Sequence, residues 1–199
     1  MSIDVETTGL DTQHNELLAI GIVIDEHQKS LEDLEKIYIV FDKDTLRYCD
    51  VFALAMNADL LRDMKNKCVT TPLPPRTLVK FKKEEEVTRY LQDIFLAYGA
   101  TPENKITLAG KNIGKFDYHF LRHLPWWKEK CEPLINHRFV DLGSLFWNPF
   151  ASKVPDLIGC KNLCYITDPV SHNAVDDALD VVKCIRAKFA PEKVGQDVK

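Results

Sequence analysis

Met1-Ser2-Ile3-Asp4-Val5-Glu6-Thr7-Thr8-Gly9-Leu10 opens the chain, and the reading of this segment governs the rest. In a strand, side chains alternate between faces, so Asp4 and Glu6 share one side while Ile3 and Val5 take the other. Two anions held together against an apolar layer raise each other's pKa or gather a cation, and hard divalent ions suit paired carboxylates. The plainer alternative is a solvated acidic end, as chain termini often are. Thr7-Thr8-Gly9 reads as the strand turning sharply and opening its backbone to a ligand. Only three residues precede Asp4, whereas a strand usually runs about five or six, so the opening strand is expected to be clipped or to begin upstream.

A chain of 199 residues suits one domain with a substantial core, expected over 1-190 with a short tail at 191-199. Its 45% hydrophobic and 28% charged residues are ordinary globular usage, which argues against a disordered or fibrous chain. The net charge of -4 provides no general basic field for nucleic acid, so such a partner would need local lysines, metals or stacking. No apolar run is long enough for a signal-peptide core or a membrane span. Cys49, Cys68, Cys131, Cys160, Cys164 and Cys184 are scattered and read as reduced thiols of an intracellular, cytoplasmic protein. Cys160 and Cys164 with His172 lack the further ligands of a zinc site.

Strand patterns appear at Leu17 to Asp25, at Ile37 to Phe41 and at Ile106 to Ala109, the last closed by Gly110. Helical periodicity runs from Asp50 to about Lys65, Glu84 to Ala97, Ile113 to Leu124 and Asn173 to about Phe189. Thr71-Pro72-Leu73-Pro74-Pro75 is an extended connector, and Lys80 to Glu86 mixes both charges as a solvated helix start would.

Two helices place a charge where the pattern calls for an apolar side chain. Asp117 shares a face with Phe120, Leu121 and Leu124 at spacings of i+3, i+4 and i+7. In the last helix Asp177 aligns with Ala174, Val181, Cys184 and Ile185, whereas Asp176 aligns with Asp180 and Lys183 on the polar face. Ser171 or Asn173 can cap that helix, which leaves His172 in the loop at its positive end, within reach of whatever Asp177 binds.

Asp4-x-Glu6-Thr7-Thr8-Gly9, then Phe116-Asp117 opening a helix, then His172-Asn173-Ala174-Val175-Asp176-Asp177-Ala178 together resemble the DEDDh family of 3'-5' exonucleases, in order and spacing across most of the chain. The resemblance implies an α/β, ribonuclease H-like fold with a mixed sheet of about five strands flanked by helices. It implies metal-binding carboxylates at Asp4, Glu6, Asp117 and Asp177, and a catalytic histidine at His172. The implied cofactors are two divalent cations, Mg2+ or Mn2+, roughly 3.5 to 4 Å apart across the attacking and leaving oxygens. Glu6, Thr7, Thr8 and Leu10 would surround the terminal nucleotide, and Met56 and Asn57 fall in a segment like one that lies over its base in related enzymes. Lys111, Lys115 and Arg122 could steady phosphates or be ordinary surface cations. Asn112 stands five residues before Asp117, where a common family pattern has four.

The expected partners are single-stranded DNA or RNA 3' ends, with no membrane involved. A homodimer is compatible with the sequence, while a polymerase partner finds no appended tail to support it. A noncatalytic nucleic-acid-binding member and a proofreading module are the competing readings. The first is disfavoured because all five chemical residues are present.

Overall fold

In the computed structural model, which describes residues 1-189, six strands form one mixed sheet in the order β4-β3-β2-β1-β5-β6. The strands are β1 (Ser2–Thr7), β2 (Leu17–Ile24), β3 (Glu35–Phe41), β4 (Thr77–Lys82), β5 (Ala109–Gly110) and β6 (Val140–Asp141). β2 pairs antiparallel with β1 and β3, while the β3–β4, β1–β5 and β5–β6 pairs are parallel. The expected tail at 191-199, and Ala190 before it, lie outside the described residues.

The strand that begins so near Met1 is nonetheless six residues long, because it continues past Asp4 to Thr7. Across the ladder Asp4 faces Gly21 and Glu6 faces Ala19, and a bulge follows between Glu6 and Thr7. Directly opposed residues point to the same side of a sheet, so the two acids share their face with the smallest side chains of β2. The space they leave is taken by the final helix, α8 (Ala174–Phe189). A Cβ added to Gly21 would lie 2.1 Å from the Ala174 carbonyl carbon and 2.3 Å from the Val175 nitrogen, closer than van der Waals contact allows. At its far end α8 is tied back by Arg186, which donates to the Asp25 carboxylate at 2.6 Å.

β2 is buried along its whole length, as its continuous apolar run requires. The core joins Ile3, Ile20, Ile22 and Ile39 to the apolar stripe of α3 (Glu84–Ala97), where Val87, Leu91, Ile94 and Phe95 recur at helical spacing.

Several expectations need correction. The sheet gains β4 and β6: Lys80 and Lys82, read as the approach to a helix, belong to edge strand β4, and the helix begins only at Glu84. The segment from Asp50 is two helices, α1 (Val51–Met56) and α2 (Ala58–Asn66), broken at Asn57. The strand read at Ile106 to Ala109 shrinks to β5, with Ile106 making an isolated bridge to Ile135. The helix read from Ile113 to Leu124 is regular only as α4 (Asp117–Leu121). Between α4 and α8 lie the short helices α5 (Trp127–Lys130), α6 (Leu142–Leu145) and α7 (Leu157–Leu163), with a 3-10 turn at Glu132–Leu134. Among the described residues, no helix is long and apolar enough to cross a membrane. All six cysteines are free.

Candidate active site

β1 and the first turn of α8 bring Asp4, Glu6 and Asp177 together, with one carboxylate oxygen of each within 4.8 Å of the others. Asp177 faces inward because α8 starts directly above Gly21, so its first turn overhangs β1 and β2. Asn173 is the cap: its Oδ1 accepts the Val175 N–H at 3.0 Å, and its carbonyl accepts the Asp177 N–H at 2.9 Å. Ser171 instead donates to the Asp176 carboxylate at 3.0 Å.

Asp117 stands outside that tight trio but beside it. It is the first residue of α4 and is buried with Phe120, Leu121 and Leu124, as the apolar stripe predicts. Its Oδ1 accepts the Val5 N–H at 3.1 Å, so the start of α4 supplies the acceptor for this β1 amide. Asp117 Oδ2 and Asp177 Oδ1 are buried with no hydrogen-bond partner. A buried charge in that condition is costly unless a cation joins it.

The carboxyls respond as crowded acids do. Burial pushes Asp4 well above the usual carboxylate range, the charges of Asp117, Glu6 and Asp177 push it further, and Lys111 opposes them. Burial, then Asp177 and Asp117, raise Glu6 to about 8, against the hydrogen bond it receives from the Asn57 side chain. Burial lifts Asp117 to about 7, with the Val5 N–H and Lys111 opposing. Asp177 also rises to about 7, through burial and then the charges of Asp180 and Asp176. All-oxygen donors, crowded charge and orphaned carboxylate oxygens fit hard divalent cations.

His172 lies exposed in the loop before α8, in the left-handed region at φ 53°. Histidine is among the residues that tolerate that backbone. It lines a cavity of about 70 Å3 with Tyr38, Met56, Asn57, Asp63 and Asn173. Asn57 is buried at the α1–α2 break, where its Nδ2 donates to the Thr7 carbonyl at 3.2 Å. The other residues read as nucleotide contacts divide in two. Leu10 is 80% exposed and Met56 is also open, whereas Thr7 Oγ1 donates to the Gly9 carbonyl and Thr8 is fully enclosed. Thr8 Oγ1 donates to the Tyr48 carbonyl and accepts the Glu16 N–H, so its hydroxyl is committed to holding the turn.

Lys111 and Lys115 line an open groove of about 630 Å3 beyond β5, with Asn112, Phe139 and Ser144. Arg122 is turned away, paired with Glu132 at 3.7 Å and set over the Tyr118 ring. Asp180, read as solvated, is buried and forms an ion pair with buried Lys161. Its partner comes from another helix, so no local spacing announces the pair.

No family model matches the chain, and no curated protein matches it. Solved structures do. Exonuclease I from Methylocaldum szegediense is 15% identical over 98% of this chain, with a TM-score of 0.60. The zinc-bound complex of E. coli exonuclease I with single-stranded DNA is 13% identical over 98%, with a TM-score of 0.62. The catalytic unit of Neurospora crassa Pan2, comprising protease and nuclease domains, is 14% identical over 98%, with a TM-score of 0.56. The chain spans 41%, 42% and 28% of those chains respectively. At this identity the likeness shows the fold, a ribonuclease H-like α/β architecture with a mixed sheet flanked by helices.

Proposed function

We propose that the chain is a metal-dependent 3'-5' exonuclease that hydrolyses phosphodiester bonds at single-stranded or frayed nucleic-acid 3' ends and releases nucleoside 5'-monophosphates. The observation that carries this reading is the gathering of Asp4, Glu6 and Asp177 carboxylate oxygens within 4.8 Å, next to buried, unpartnered oxygens on Asp117 and Asp177. Asp4, Glu6, Asp117 and Asp177 would hold two divalent cations, Mg2+ or Mn2+. When bound, such cations polarise a phosphoryl oxygen and lower the pKa of water.

The remaining work falls to the chain's own side chains. His172, at the mouth of the cavity beside α8, takes the proton of the attacking water as general base. Asn57 donates to Glu6 and to the Thr7 carbonyl, which holds the end of β1 in place. Leu10 and Met56 offer exposed apolar surface to the terminal base, and Thr7 and Thr8 shape the turn that presents it. Lys111, the cation opposing the charge of Asp4 and Asp117, would steady a substrate phosphate. A single-stranded DNA substrate is supported by the E. coli exonuclease I complex of the same fold.

Purified protein with Mn2+ or Mg2+ is expected to shorten a 5'-labelled single-stranded oligonucleotide one nucleotide at a time, and EDTA should stop it. Matched DNA and RNA 3' ends in the same assay report the sugar preference through the 2'-hydroxyl. A wild-type protein that leaves both intact, or an Asp177→Ala variant that cuts as fast as wild type, overturns the reading.

A further inference from the structure

Beneath the loop that carries His172 runs a chain of charges that the proposed chemistry does not use. Lys161 on α7 is 2% exposed and pairs with Asp180 on α8, itself 6% exposed. The other Asp180 oxygen accepts from Lys183 Nζ at 2.8 Å, and Lys183 continues to the Asp168 carboxylate at 3.0 Å. Lys161 Nζ also donates to the Pro169 carbonyl at 3.4 Å. Asp168 and Pro169 belong to the connection between α7 and α8, three to four residues before His172.

Taking two charges out of water is costly, and apolar residues of similar size often serve stability as well, so this pair is poorly explained by stability alone. Its geometry suggests another use. Asp180 lies one helical turn beyond Asp177, and the loop residues it reaches through Lys161 and Lys183 are otherwise exposed. The network thus fastens one end of the loop to the helix bearing a metal-site carboxylate. Asn173 and Ser171 fasten the other end, and His172 is suspended between them.

We infer that Lys161 and Asp180 are positioning residues that hold His172 in register with Asp177, so that base and carboxylates meet the same substrate. The inference rests on the exonuclease reading for its chemistry and on the ion network for its geometry.

The test is a double-mutant cycle between Lys161→Met and His172→Ala. Lys161→Met is expected to lower kcat about tenfold, since small misplacements of a catalytic group are costly, while KM for the oligonucleotide and the Mn2+ midpoint stay within about twofold of wild type. In the His172→Ala background the same change should cost nothing further, because the base it positions is gone. Lys161→Arg should restore the rate, and Lys161→Met/Asp180→Leu, which removes both buried charges, should repeat the kcat loss in a folded protein. Hydrogen exchange at the hydrogen-bonded amides that close the two ends of the loop, Ile166, Val175 and Asp177, should accelerate in Lys161→Met, whether or not nuclease activity is measured. Unchanged exchange overturns the inference, as does an equal kcat loss with and without His172. An inactive wild type would instead overturn the exonuclease reading, and the exchange arm would still decide whether the network anchors the loop.

Discussion

The Asp117 carboxylate accepts the backbone N–H of Val5 at 3.1 Å, so one of its oxygens completes the edge of β1 and the other is left buried without a partner. Structure and chemistry are divided between two atoms of one side chain. Asp117→Asn should keep the first role, since an amide oxygen accepts the same bond, and abolish the second. Asp117→Ala should lose both. The expected outcome is a nuclease-dead Asn variant that melts at or above wild type without metal, and an Ala variant destabilised by about 1–3 kcal/mol through the orphaned N–H. Thermal melts of the two variants in EDTA check the difference.

Stability of the metal-free protein should rise as pH falls from 8 toward 5. Glu6 titrates at about 8 when folded against an ordinary 4.5, and Asp117 and Asp177 at about 7 against 3.8, so the folded chain binds protons through this window that the unfolded chain does not. Proton uptake by the native state makes the unfolding free energy fall with rising pH. Mn2+ should reverse the trend, with its largest rise in Tm near pH 8 and little near pH 5, because the ligands must be deprotonated to bind it. A Tm series with EDTA and with Mn2+ measures both slopes. A metal-free protein that gains stability between pH 5 and 8 contradicts the site electrostatics.

His172→Ala should reduce kcat by about 10²–10⁴, the usual yield of general acid–base catalysis, and leave the Mn2+ stabilisation intact. The histidine lies in the cavity beside Asn57 and not within the carboxylate group. Single-turnover rates, taken with Mn2+ titrations followed by Tm, separate loss of the base from loss of the metal. Weakened Mn2+ binding in this variant would make His172 a ligand.

Asn57→Ala should cost about 1–3 kcal/mol of stability, because the buried Thr7 carbonyl loses its side-chain donor. It should also weaken Mn2+ binding, since Glu6 loses the amide that favours its charged form. Chemical denaturation and calorimetric Mn2+ titration test the two effects separately. A variant with lower stability and unchanged Mn2+ affinity would confine Asn57 to the fold.

What the sequence discloses follows the range of the forces involved. Periodicity assigns Asp117 to the apolar stripe and turns Asp177 inward, and both are so placed, because a helix face is a local property. The same periodicity turns Asp180 toward solvent, and there it fails: Lys161, 19 positions away in sequence, supplies the charge that permits burial. β4 escapes notice because an edge strand carrying Lys80 and Lys82 has the charge pattern of a solvated helix start. β6, at two residues, is too short to show any period. The α1–α2 break at Asn57 is hidden because a single polar residue fits an amphipathic helix as well as a break, and it is visible only through the docking of Asn57 onto the end of β1.

Gly21 brings no donor, acceptor or charge to the site, yet α8 rests on its bare backbone and Asp4 faces it across the ladder. The gap between Asp4 on the sheet and Asp177 on the helix is therefore gauged by a missing methyl group. Adding that methyl would lift the first turn of α8 and widen the gap, much as a shim opens the jaws of a clamp. In the proposed metal centre, selection for ionic radius would then act on a residue that never touches the ion.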